Sequence, residues 1–220
     1  MLDRFDSRAL GRTDCYAQRF MKPGVYPYAI VPVGTQRMTD RRPFVVRVAE
    51  GAVGQQLAQR TLRISAKHGR FSTDAEVTIQ PGDVVMWNCP DASAPPYAVI
   101  GAKPFFSSAR LANGCGFTHA FGHPGDYHWI DVYGSGLEGV VHVRSPRLDT
   151  PEQAKRWQAS LAQGTLVTIS GTSAEPRAVE VEVGQTVFFS VTQSRGISIT
   201  ERSAARLHAP TVFDGVVALR

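Results

Sequence analysis

Two stretches of this chain superpose without a gap. Residues 5–28 (FDSRALGRTDCYAQRFMKPGVYPY) lie over residues 106–129 (FSSARLANGCGFTHAFGHPGDYHW). Phe5 meets Phe106, Leu10 meets Leu111, Phe20 meets Phe121, Pro23-Gly24 meets Pro124-Gly125, and Tyr26 meets Tyr127. These are turn and core residues, so a shared backbone is implied. A second match joins 77–87 (VTIQPGDVVMW) to 179–189 (VEVEVGQTVFF), with Gly184 in the place of Gly82. SAARL at 203–207 echoes SSARL at 107–111, and FDGVVALR at 213–220 echoes LEGVVHVR at 137–144. RPFVVRV at 42–48 reads as a further copy of that closing strand. Any fold for this chain must use the same set of strands more than once.

The copies are strands by their periodicity. Val77 and Ile79 alternate with Thr78 and Gln80, and Val179, Val181 and Val183 alternate with Glu180 and Glu182. Period-2 alternation gives one apolar and one polar face, which suits two sheets facing each other. The pattern changes once. Thr150 is an N-cap, Pro151 suits the first helical position, and Gln153 completes a capping box. Ala154, Trp157 and Leu161 then share one face, and Gly164 supplies a stop. The expectation over 149–163 is a helical connector anchored by Trp157.

Read block by block, the strands divide as follows. Residues 60–145 are expected to form one complete domain. Residues 5–48 resemble its back half and 164–220 its front half, so these two ends are expected to build a second domain. They meet within one chain or between subunits, because either half alone would leave open edges and an unfilled core. Residues 49–59 form a linker.

The strand order in 76–144 (EVTIQPGDVVMW, PPYAVIG, FFSSARL, then FTHAFGHPGDYHWIDVYGSGLEGVVHVRS) resembles the cupredoxin family, the blue-copper domains of the plastocyanin and azurin type. The resemblance implies an all-β, Greek-key sandwich or barrel in two lobes, with the helix near 150–163 between them. It also implies four copper-ligand positions, and here they carry Tyr97, Asp131, Gly134 and Leu137. None of these four is the histidine, cysteine or methionine that a blue-copper site uses. In the later copy, Ile197-Ser198-Ile199 stands at the first ligand position. The resemblance therefore implies a scaffold without metal or other cofactor, with a Tyr97–Asp131 hydrogen bond expected to hold the vacant loops together.

Other chemistry is weakly signalled. Cys115, His119, His123 and His128 fall close together and are the alternative metal donors, although alternation places His119 in the core between Phe117 and Phe121. No nucleophile elbow, zinc-protease motif or phosphate loop occurs, and no enzymatic activity is expected. Three cysteines without a C-x-x-C pair suggest free thiols instead of a disulfide framework. The net charge is +5, and 20 of the 24 basic residues are arginine, mostly dispersed. Dispersed charge argues against nucleic-acid binding. One local cluster comprises Arg37, Arg41, Arg42 and Arg47, of which Arg37, Arg41 and Arg42 are the candidate contact for a protein partner. No apolar run is long enough to span a bilayer. The first residues lack the apolar core of a secretory signal, so the sequence as written reads as cytoplasmic, with export alongside a partner as the alternative.

The function expected from these features is a structural or accessory subunit that acts through protein contacts, including self-association. Two alternatives differ in class: a copper or electron-transfer protein with a displaced site, and a small-molecule binder or enzyme reusing the empty ligand pocket.

Overall fold

The computed structural model describes residues 4–33, 42–54, 56–68, 70–102 and 106–205. The first half of the chain contributes β1 (Asp14–Arg19), β2 (Gly24–Pro32), β3 (Phe44–Val48), β4 (Gln59–Arg63), β5 (Ser65–Lys67), β6 (Arg70–Ser72), β7 (Glu76–Ile79), β8 (Val84–Asn88) and β9 (Tyr97–Gly101). The second half contributes β10 (Cys115–Ala120), β11 (Gly125–Ile130), β12 (Glu138–Arg144), α1 (Pro151–Ser160), β13 (Thr165–Ser170), β14 (Ser173–Glu175), β15 (Ala178–Glu182), β16 (Thr186–Gln193), β17 (Thr200–Glu201) and the short α2 (Arg202–Ala205).

The architecture is almost all β. A seven-stranded sheet runs β14-β13-β16-β10-β1-β8-β4, and two four-stranded sheets run β7-β3-β2-β9 and β15-β12-β11-β17. None closes into a barrel. Each four-stranded sheet faces one wing of the seven-stranded sheet. Tyr28 on β2 meets Trp87 on β8 at 5.4 Å between ring centroids, and Trp129 on β11 meets Phe189 on β16 at 5.6 Å. The predicted alternation is present: Val179 and Val181 are buried, while Glu180 between them is exposed.

The strand pairing divides the chain at a different place from the one expected. β9 pairs with β2 from Tyr28↔Gly101 to Pro32↔Tyr97, β8 pairs with β1, and β7 pairs with β3. Residues 5–48 therefore share their sheets with 59–101. Residues 106–144 share theirs with 165–201, through β10–β16, β12–β15 and β11–β17. The expected 60–145 domain is cut between β9 and β10. Contiguity along the chain suggested it, but the main-chain hydrogen bonds of β8 and β9 go backward to β1 and β2. The repeat is thus a tandem one in plain order. The echoes at 206–220 lie outside the described residues.

The two repeats join along β1 and β10, which pair antiparallel from Asp14↔His119 to Gln18↔Cys115. Tyr16 and Phe117 occupy the same place in the repeat, and they sit opposite each other at the centre of this seam. The repeats are thus related by an approximate twofold axis through that pair.

Both repeats solve the same turn in the same way. Gly82 and Gly184 have φ of +94° and +92°, a region that suits glycine. A Cβ at Gly82 would lie 2.7 Å from Leu57 and 2.8 Å from Val53, and one at Gly184 would lie 2.7 Å from Leu161. The linker after β3 thus caps the first turn with a Val53/Leu57 pair, as α1 caps the second with Trp157 and Leu161. The predicted capping box is formed: Gln153 N–H donates to Thr150 Oγ1 at 3.2 Å, and Thr150 N–H donates to Gln153 Oε1 at 3.1 Å. Trp157 Nε1 donates to the Val183 carbonyl at 2.9 Å, which anchors the helix. The helix is capped at Leu161, three residues before the predicted stop at Gly164.

One exchange crosses the seam. Phe5 lies wholly inside the second repeat, 5.3 Å from Phe121, 5.4 Å from His119 and 6.3 Å from Phe189 between ring centroids. Phe106, its equivalent, lies inside the first, 5.4 Å from Phe20 and 5.7 Å from Trp87. The segments that follow each return across the seam. Asp6 bridges to Thr200 and Leu10 to Tyr97, while Ser107 bridges to Ile100 and Leu111 to Ile197. Among the described residues, this is the contact by which 5–48 and 164–220 meet.

Candidate functional site

The four expected ligand positions do not converge. Tyr97 begins β9 in the first repeat, whereas Asp131, Gly134 and Leu137 occupy the β11–β12 connection of the second. The expected Tyr97–Asp131 hydrogen bond is absent. The Tyr97 hydroxyl is buried beside Phe71 and the Cys89 backbone, without a well-formed hydrogen bond. Burial drives its pKa well up. The two positions looked adjacent because they had been placed in one domain.

Asp131 instead meets Ile197-Ser198-Ile199 of its own repeat, the segment expected at the first ligand position. Its Oδ1 accepts from Ser198 N–H at 2.8 Å and Tyr133 N–H at 3.0 Å, with Ser198 Oγ at 3.4 Å. Its Oδ2 accepts from Ser135 N–H at 2.9 Å. Burial acts to raise its pKa, but the hydrogen bonds from Ser198, Ser135 and Tyr133 outweigh burial and leave it below the ordinary carboxylate value. The Asp131 N–H donates to the Leu137 carbonyl at 2.9 Å, which closes the loop. Leu137 is buried, and Gly134 turns at φ +91° with open space around it. The Asp131 side chain is thus occupied in holding backbone amides.

A line of buried polar groups continues from this carboxylate. Ser198 Oγ accepts from Val132 N–H at 3.0 Å and from Thr200 Oγ1 at 3.1 Å, and Thr200 Oγ1 lies 3.1 Å from Asp6 Oδ1. Arg8 then forms a two-pronged pair with Asp6, Nε to Oδ1 at 2.9 Å and Nη2 to Oδ2 at 2.8 Å. Arg8 and Asp6 are only 2 % and 1 % exposed. Sequence reasoning missed this pair, since nothing in DSRAL marks an arginine as buried. The available signal was the repeat itself, which aligns Ser7-Arg8 with the buried Ser108-Ala109 pair.

The alternative metal donors are also apart. Cys115 and His119 stand at opposite ends of β10, four residues or about 13 Å along an extended strand. The Cys115 thiol donates to the Ala112 carbonyl at 2.9 Å, and burial pushes its pKa up to about 12. His119 is in the core, as alternation predicted, with Nδ1 2.6 Å from Asp14 Oδ1 across the seam. Its Nε2 has no hydrogen-bond partner and is enclosed with Phe5 and Phe121, away from any solvent-borne substrate. His123 is exposed in the turn before β11, and its carbonyl accepts from the Tyr127 hydroxyl. His128 is exposed on the outer face of β11. Among the described residues, no three His, Cys, Asp or Glu side chains converge as metal donors. The three cysteines are free thiols.

Arg42 is half-buried and engaged by other groups, and Arg37 and Arg41 lie outside the described residues. An open cavity of about 350 Å³ lies on the outer face of the second four-stranded sheet, lined by His128, Glu138, Arg177 and Arg202 among others. Glu138 pairs with Arg202 at 2.9 Å there. Neither Tyr97 nor Asp131 lines this cavity. No helix of the described residues is long and apolar enough to cross a membrane.

No protein-family model matches the chain, and no curated protein or solved structure matches it.

Proposed function

We propose that this protein is a structural or accessory subunit built from two cupredoxin-like, Greek-key β-sandwiches without copper, and that it acts through protein contacts and not through catalysis. The observation that carries this reading is the use made of Asp131. A carboxylate that could have served a metal or a substrate accepts three backbone N–H groups and holds a loop together. Around it, the other ligand positions of the second repeat are Gly134, buried Leu137 and the Ile197-Ser198 segment, which offer no soft donor. Other buried charged groups are likewise engaged within the fold: Asp6 pairs with Arg8, Asp14 with His119, and Asp83 accepts from the Ala58 and Gln80 N–H groups.

The test is to purify the chain and determine its bound metal by mass spectrometry and its molar mass by light scattering. Substoichiometric metal together with self-association, or with a co-purifying protein, is expected. A lone monomer carrying one copper per chain would overturn the reading.

A further inference from the structure

The exchange across the seam is unequal in one respect. In the first repeat, the socket for Phe106 and Ser108 is filled by the chain that directly follows β9. Ser108 N–H donates to the Val99 carbonyl at 3.0 Å, and Val99 N–H donates to Ser108 Oγ at 3.1 Å. In the second repeat, the same two bonds come from the far end of the chain. Ser7 N–H donates to the Ile199 carbonyl at 2.9 Å, and Ile199 N–H donates to Ser7 Oγ at 3.1 Å. The segment that directly follows β17 cannot make them. Aligned on SSARL and SAARL, it carries Arg202 where Phe106 stands and Ala204 where Ser108 stands. Arg202 is exposed and paired with Glu138, outside the aromatic core. Among the described residues, the second repeat therefore holds an aromatic socket that the aligned residues 202–205 do not fill. That socket is completed by a plug, residues 4–10, through the rings of His119, Phe121 and Phe189 around Phe5 and through hydrogen bonds between Ser7 and Ile199 and from Thr200 to Asp6.

We infer that this socket is a docking site for residues 4–10 of a second copy of the chain, so that copies join by exchanging the plug. Residues 4–10 are held in place by packing and hydrogen bonds alone, and exchange of an identical element recreates every contact of the closed form. Within one chain the plug acts at high effective concentration, so exchange grows with protein concentration and with warming toward the melting temperature (Tm). The inference extends the proposed assembly role by naming the partner, and it stands apart from the metal question.

The probe is a synthetic peptide of residues 1–12 with a fluorescent label, used with the full-length chain. Phe5→Ala in the full chain is expected to lower Tm by on the order of 10 °C. The wild-type peptide should bind this variant saturably and restore Tm, whereas a peptide carrying Phe5→Ala should do neither. Should Phe5→Ala leave too little folded chain to titrate, Phe5→Leu replaces it. In the second arm, wild-type chain is held a few degrees below Tm at increasing concentration and sized by light scattering. A dimer fraction that rises with concentration, and that the wild-type peptide suppresses, is expected. The inference is overturned if the wild-type and Phe5→Ala peptides behave alike, if no dimer forms at any concentration, or if the dimer is indifferent to Phe5→Ala. Stoichiometric copper would defeat the proposed function and leave the peptide result untouched.

Discussion

Replacing Asp131 by alanine removes the acceptor for three backbone N–H groups at once: Tyr133 and Ser198 on one oxygen and Ser135 on the other. A hydrogen bond to a charged group contributes about 1.5–3 kcal/mol net, and a buried donor left unpaired costs about 1–3 kcal/mol. The side chain is only 7 % exposed, but Tyr133 and Gly134 beside it are open to solvent, so water can reach part of the loop. With three such groups, the lower ends of the two ranges give about 4.5 and about 3 kcal/mol, so a loss of about 4 kcal/mol is expected. For a chain of this size each kcal/mol moves Tm by about 2–4 °C, so a fall of about 12 °C is expected. Circular dichroism melts at neutral pH measure it. The pH dependence provides a second check. The folded pKa of Asp131 lies below its unfolded value of about 3.9. Its contribution is therefore fully present above that value and is lost as pH falls through the folded pKa. The Tm gap between wild type and Asp131→Asn should accordingly narrow below about pH 4. An Asp131→Ala variant within about 2 °C of wild type would refute the assignment of this carboxylate as the clasp of the loop.

Three further outcomes follow from the same packing. Arg8→Met leaves Asp6 charged and buried, and should destabilise by about 3–5 kcal/mol in urea melts, whereas Asp6→Asn with Arg8→Met should recover part of that loss. A Cβ at Gly139 would lie 2.6 Å from the Arg177 carbonyl oxygen and 2.7 Å from Trp129 Nε1. Since that carbonyl is fixed by its bond from Val140 N–H, Gly139→Ala should cost about 1–3 kcal/mol, also read from urea melts. Cys115, buried and with its pKa pushed up to about 12, should resist iodoacetamide at pH 8 in the folded chain, with Cys15 labelled ahead of it, as peptide mass spectrometry would show.

The local features were legible in the sequence, and the long-range ones only in part. Alternation at Val179, Val181 and Ile79, the turns at Gly82 and Gly184, and the capping box of Thr150 and Gln153 all depend on neighbours within a few residues. Which strand lies beside which depends on main-chain bonds that carry no residue signature, so β8 and β9 were grouped forward with β10 instead of backward with β1 and β2. The near-constant spacing from Phe5 to Phe106, Gly82 to Gly184 and Val99 to Ile199 held the correct division. Reading the copies as fragments of one domain obscured it. The same error brought Tyr97 to Asp131 on paper. The Asp6–Arg8 pair carries only the indirect signal of the repeat, because a charged residue is rarely buried unless paired and its partner is only two positions away in an unremarkable run.

The seam between β1 and β10 has a consequence for what such a protein can vary. Two identical halves meeting across a twofold axis must place the same side-chain pair at both ends of their junction. Here one end carries Asp14 opposite His119, hydrogen-bonded and sealed from solvent, and the equivalent end carries Cys115 opposite Gln18. Gln18 there accepts from the Tyr16 hydroxyl and donates to the Arg19 carbonyl, bonds with no counterpart at the other end. Covalent fusion has released the two ends from having to match. Each can be altered alone, so the two sandwiches can come to differ in stability, or in what they hold, while the strand register that joins them stays unchanged.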